Sequence, residues 1–258
     1  MSPVRSLGSL HTTGKVVSCR LAELQAFDES ILYRTEPSSG RLPFRTVPGR
    51  IPVLLSAPHA CMHIRDGVEK MEEEFTAAIA LLLAERTGAH ALVTDRFNRE
   101  DPNWLPGGLY KDTLGTVVRQ ESVALVIDLH GMTNRYGASV ALGTMKGRAC
   151  DVASVLPAFE SAGFRSISEP ELTTSQRHNW RNLVVDHSRF TGGLRSHTVT
   201  RFCCEQLGVS AVQVELASRA RVVYSPRTAQ WPVDYSGEPE AILAVLDALQ
   251  QLIVDHAQ

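Results

Sequence analysis

Val123 to Gly131 read VALVIDLHG. Five apolar residues run unbroken up to Asp128, and such a run suits a strand buried on both faces rather than one with a wet side. The same signal recurs on either side of it. IPVLLS (51–56) and HALVT (90–94) read as buried strands, and FTAAIALLLAERTG (75–88) between them reads as a helix closed by Gly88 in a left-handed cap. ASVALGT (138–144) and SAVQVELAS (210–218) are further strands. DVASVLPAFESAG (151–163), SHTVTRFCCEQLG (196–208) and EPEAILAVLDALQQLIVDHA (238–257) are helices. Strands alternating with helices predict an α/β fold with three α/β/α layers around a mainly parallel or mixed sheet. The first fifty residues, with EPSSGRLPF and VPG, read as an irregular segment packed on a single domain that spans 1–258. DRFNREDPNWLPGGLY (95–110) reads as a polar loop.

Composition narrows the function classes. The chain has 258 residues, of which 43% are hydrophobic, enough for a sizeable core. A net charge of -2 with no basic run leaves no electrostatic footprint for nucleic acid. There is no stretch of about 20 apolar residues to span a membrane, and the N-terminus lacks the apolar centre of a secretory signal. The five cysteines are odd in number and show no CxxC spacing, so they read as reduced thiols rather than disulfides or thiolate metal ligands. These features predict a cytoplasmic protein whose partner is a small molecule or short peptide.

Ligands of such sheets sit at the carboxyl ends of strands. His59 follows the first buried strand across Ala57 and Pro58, and His130 closes the central one. A catalytic zinc takes three protein ligands from His and Asp/Glu and leaves a position for water. The third ligand is then a carboxylate, and Glu72, Glu73 and Glu74 all stand at a helix start, where an acid also complements the helix dipole. Spacing alone does not choose among them. Glu215 interrupts an apolar strand and shares a face with Gln213, opposite Val212, Val214 and Leu216. A carboxylate so placed is costly unless paired, metal-bound or exchanging a proton, which makes it a candidate general base; an ion pair with Arg219 is the plainer alternative. Asp128 shares a strand face with His130 and is placed to orient a ligand histidine. Gly192-Gly193 permits close backbone approach, with Arg195 and His197 just behind it as candidate substrate contacts. No GxSxG elbow occurs, so the expected nucleophile is water.

The series SAPHA (56–60), EEEFT (72–76), TDRFNREDPN (94–103), VIDLHGM (126–132), FTGG (190–193) and VSAVQVELAS (209–218) resembles, in that order, the N-formylglutamate amidohydrolase family. That family is related to the zinc carboxypeptidases and to the aminoacylase and succinylglutamate-desuccinylase group. The resemblance runs from about Pro52 to Ala217. It implies a zinc-exopeptidase-like fold, one Zn2+ held by His59, Glu73 and His130, and Glu215 as the catalytic glutamate. It also matches Arg96, Arg99 and Asn103 to the family's arginine-rich stretch ending in D-x-N-R, which binds substrate carboxylate. Two departures stand out: Trp104 replaces the final arginine, and His63 occupies a position that is not a ligand in that pattern, leaving it as a substrate contact, an outer donor or, last, a fourth ligand. The expected activity is hydrolysis of an amide bond in an N-acyl amino acid or small peptide-like compound carrying a carboxylate. A carboxypeptidase-like peptidase and a non-catalytic binding protein on the same fold are the alternatives.

Overall fold

The apolar runs pair side by side in the computed structural model, which describes residues 8–172, 179–228 and 231–257. One sheet contains eight strands: β1 (Phe44–Val47), β2 (Val53–Ala57), β5 (His90–Thr94), β6 (Leu125–Met132), β7 (Val140–Gly143), β8 (Arg165–Ser166), β9 (Asn182–Val185) and β10 (Ser210–Ala217), in the order β1-β5-β2-β6-β10-β7-β9-β8. A separate hairpin joins β3 (His63–Arg65) to β4 (Val68–Lys70). The four central strands β5, β2, β6 and β10 are mutually parallel, whereas β7 runs antiparallel to β10 and β1 antiparallel to β5. The sheet is therefore mixed, as the sequence predicts.

Period-two alternation assigns the faces. Val53, Leu55, Ile127, Leu129, Val212 and Val214 point into the larger core, which α2 (Thr76–Thr87), α4 (Val152–Ser161) and α6 (Pro239–Asp255) cover. Leu54, Val126 and Ala211 point the other way, onto α3 (Leu109–Gln120) and α5 (Val199–Phe202). These are the three expected layers. Helix α2 ends where its glycine predicts: Gly88 takes φ 83, and its N–H donates to Ala84 O. Leu83 of this helix is fully buried. Leu83→Ala is expected to cost about 2–5 kcal/mol of stability, for lost transfer energy plus the cavity left behind, measured by denaturant unfolding.

Two expectations about the first half of the chain need correction. The segment read as irregular contains a 21-residue helix, α1 (Gly8–Asp28), as well as strand β1; residues 1–7 lie outside the described part. Its sequence hides it because apolar residues recur at helical spacing only over its last turns, where Leu24, flanked by partly buried Leu21 and Phe27, makes its core contact. Packing on α2, rather than its own pattern, sustains the helix. The second omission is α3, which begins inside the stretch read as loop. There the signal was present, since Tyr110, Leu114 and Val118 repeat every four residues and form its buried side. Among the described residues no helix is long and apolar enough to cross a membrane. The five cysteines are free thiols.

Candidate active site

Three parallel neighbours, β2, β6 and β10, end at the same edge of the sheet, and register brings their polar residues abreast. Ser56 pairs with Asp128 and Asp128 with Gln213; two residues further on, on the same face, His130 pairs with Glu215. His59 lies two residues beyond the end of β2. Glu73 comes in from the start of α2, its N–H donating to His59 O at 3.0 Å. The chain enters α2 through Phe75, which holds φ 67, an uncommon conformation for a non-glycine residue. Burial of the ring and donation of Phe75 N–H to Tyr33 Oη at 3.0 Å hold it there.

The result is a buried cluster. Glu73 Oε1 lies 3.3 Å from His59 Nδ1, and Glu73 Oε2 lies 3.0 Å from His130 Nδ1 and accepts from Gly131 N–H at 2.9 Å. The outer nitrogens of both rings are held by other carboxylates. His59 Nε2 is 2.8 Å from Asp101 Oδ1, and His130 Nε2 is 3.2 Å from Asp128 Oδ2. Asn103 Nδ2 also stands 2.9 Å from His130 Nε2, while Asn103 Oδ1 accepts from Val199 N–H. Asp128 is itself fixed by donation from Ser56 and Thr200 hydroxyls. The carboxylate on His59 Nε2 selects the Nε2–H tautomer and turns its Nδ1 lone pair inward, which is how metal-binding histidines are oriented; at His130 both Asp128 and the Asn103 amide nitrogen meet Nε2, and Nδ1 faces Glu73.

This geometry chooses among the three glutamates. Glu72 is spent on a two-point ion pair with Arg34, and Glu74 accepts from Ser225 Oγ at 2.7 Å and Trp231 Nε1 at 2.5 Å. Glu73 faces the histidines. The donor atoms of His59, Glu73 and His130 lie within 4.8 Å of one another, and the planes of the two rings cross at 70°. His59, His63 and Asp101 also lie within 4.8 Å of one another, but there the two imidazoles stack at 9°. Lone pairs in near-parallel planes run side by side and do not converge on one ion. Two imidazoles and a carboxylate converging at a buried point fit zinc.

The charges are strongly coupled. Burial raises the Glu73 carboxyl, but His130 and then His59 outweigh it and hold it well below the usual range. Burial lowers His130, yet Asp128 and Glu73 carry it well above its ordinary value. Burial of Glu215 pushes its carboxyl up to about 7, with His130 opposing and Glu73 adding. Gln213 Nε2 donates to Glu215 Oε1 at 2.7 Å, so the strand partner two residues back orients the acid. Arg219 instead reaches Asn134 and lies 4.0 Å from Glu238.

Other expected residues divide into two groups. Asp128, Asn103 and His63 belong to the cluster; His63 stacks on His59 with centroids 4.2 Å apart, and its Nε2 is buried without a hydrogen-bond partner, 3.4 Å from Asp101. The arginines do not join it. Arg96 donates to Asp95 O, Arg99 is exposed and pairs with Glu36, and Arg195 is exposed in the loop after Gly193. Asp101 and Arg65 are the residues sequence reasoning underused: Arg65 Nε donates to Asp101 Oδ2 at 2.5 Å, and its guanidinium lies 5.4 Å from the centre of the Trp104 ring. A cavity of about 700 Å³ lined by Phe27, Arg45, Arg50 and Leu81 shares no residue with the cluster. Converging donors, not volume, mark this site.

No family model matches the sequence, and no curated protein matches it. Solved structures do. An N-formylglutamate amidohydrolase from Ralstonia eutropha superposes with a TM-score of 0.55 at 15% identity, covering 83% of this chain and 97% of that one. A gene product of Agrobacterium tumefaciens gives 0.48 at 12%, covering 85% and 96%, and a succinylglutamate desuccinylase from Vibrio parahaemolyticus gives 0.44 at 16%, covering 82% and 69%. Resting on the first of these, the chain is similar in fold to N-formylglutamate amidohydrolase, as its ordered motifs imply.

Proposed function

We propose that the protein is a metal-dependent hydrolase of an amide bond in an N-acyl amino acid or small peptide-like compound. The observation that carries this is the convergence of His59 Nδ1, His130 Nδ1 and the Glu73 carboxylate, with Glu215 one strand away at the same register. The similar fold, in a protein named as an N-formylglutamate amidohydrolase, supports the choice of an amide. His59, Glu73 and His130 would hold the ion, and the nitrogen and oxygen donor set favours zinc. Bound there, zinc supplies Lewis acidity, which polarises a carbonyl oxygen and makes water easier to deprotonate.

The chain's own residues do the rest. Glu215 removes a proton from the attacking water and then delivers it to the departing nitrogen, a role suited to a carboxyl that burial lifts to about 7, where it can both take and give a proton. Gln213 holds the acid at Oε1, and Asp101 and Asp128 keep the two rings turned inward. Substrate carboxylate binding by Arg96, Arg99 or Arg195 has no support from their positions. The test is a screen of N-acyl amino acids and short peptides for amine release by the zinc-loaded chain, run beside metal analysis. Release of a free amine that stops on chelation and returns with zinc is expected. A chain that takes up no zinc and gains no activity from added zinc would sink the proposal; cleavage of peptides alone would move it to a peptidase.

A further inference from the structure

Arg221 is 3% exposed, in the turn that follows β10. Burying a guanidinium is expensive, and among the described residues the hydrogen-bond acceptors of this one are main-chain carbonyls, not carboxylates. Its Nε donates to Leu216 O at 3.1 Å, and its Nη1 donates to Glu74 O at 2.8 Å. The first carbonyl belongs to the residue after Glu215 and the second to the residue after Glu73. Between them the guanidinium rests against Gly131, the residue after His130. A Cβ there would stand 2.7 Å from Nε and Nη2 and 2.9 Å from Cζ, so any side chain at this position would push the guanidinium out of its seat. Gly131 N–H meanwhile donates to Glu73 Oε2 at 2.9 Å. One planar group thus meets the chain directly beside Glu73, His130 and Glu215.

We infer that Arg221 is a positioning residue: by clamping Glu74 O and Leu216 O across Gly131, it seats the Glu73 carboxylate between the two histidines. This rests on the metal-centre reading and extends it to a residue that touches neither metal nor substrate. The fork matters as much as the charge, because two donors at a fixed angle fix two carbonyls relative to each other. A lysine ammonium is a single point and cannot reproduce both bonds. Glu73 and Glu74 are also the carboxylates whose charge acts most strongly on Arg221, so the cation that locates Glu73 balances it electrostatically as well.

The test uses the full chain with Arg221→Met, Arg221→Lys and Gly131→Ala. In metal-free protein, amide exchange at residue 131 is measured by NMR relative to Ile127 of the same strand, which reports global opening. Zinc affinity is then measured by titration against a chromophoric chelator. Arg221→Met is expected to speed exchange at Gly131 by about tenfold or more relative to Ile127 and to weaken zinc binding about 10- to 100-fold, the range for residues that orient ligands. Arg221→Lys is expected to recover only part of either loss. A folded Arg221→Met protein with unchanged relative exchange at Gly131 overturns the inference, since a purely space-filling arginine would lower overall stability without loosening that one amide. If Arg221→Met does not fold, Gly131→Ala decides. It keeps the charge but displaces the fork, and unchanged relative exchange and zinc affinity there overturn the inference equally. A wild-type chain that binds no zinc removes the metal reading alone, and the exchange result then settles the role of Arg221.

Discussion

Glu215→Gln is expected to lower kcat by about 10²–10⁴-fold, the usual contribution of a positioned general acid–base group, while zinc content stays at the wild-type level. The argument is geometric. Glu215 sits in β10 directly across from His130 in β6, yet none of its oxygens lies among the converging ligand atoms. Glutamine matches its shape, keeps the strand intact and can still meet Gln213, but it cannot carry a proton through a reaction cycle. Metal analysis and steady-state kinetics on the same preparation separate the two effects. Turnover close to wild type would take Glu215 out of the base role, and loss of zinc along with turnover would make it a ligand.

Glu73→Gln is expected to weaken zinc binding by more than about 100-fold, beyond what is typical of residues that merely orient a ligand. Glu73 brings the only negative charge among the three converging residues and lies between both Nδ1 atoms. An amide replaces one anionic oxygen with NH2, which donates where the ion needs a lone pair. The neighbours supply the control. Glu72→Gln breaks the pair with Arg34, costing roughly 1–3 kcal/mol as a charge-assisted contact at a largely buried acceptor, but leaves zinc affinity unchanged. Equal zinc affinity in Glu73→Gln and Glu72→Gln would mean the ion is held elsewhere.

The main core elements were legible because their physics is local. VALVIDLHG, IPVLLS and HALVT announce buried strands by unbroken apolar runs, and they form β6, β2 and β5. The helix after EEEF announces itself by spacing and by Gly88. Where the pattern fails, the element depends on others: α1 has too few apolar residues in register to declare a buried face and takes its stability from α2. His59, His130 and Glu215 were visible for a related reason, since polar residues at the ends of apolar strands are conspicuous against their surroundings.

What only the folded chain decides is which residues meet. Glu72, Glu73 and Glu74 are equivalent along the sequence, but around the start of α2 they project in different directions, toward Arg34, the histidines, and Ser225 with Trp231. Arg96 and Arg99 look like substrate contacts in a motif, yet Arg99 is exposed and reaches Glu36, while Arg221, in no motif, is buried beside the site. The sequence by itself determined the layered α/β architecture and the strand ends where chemistry belongs, because hydrophobic periodicity is a property of neighbours along the chain. Ligand choice, the pairing of His59 with Asp101, and the clamp beneath Glu73 were decided by tertiary structure. Directional contacts such as that of Glu73 with His130, 57 positions away, and of Arg221 with Glu74, 147 positions away, depend on how strands and helices are brought together, and no local pattern encodes them.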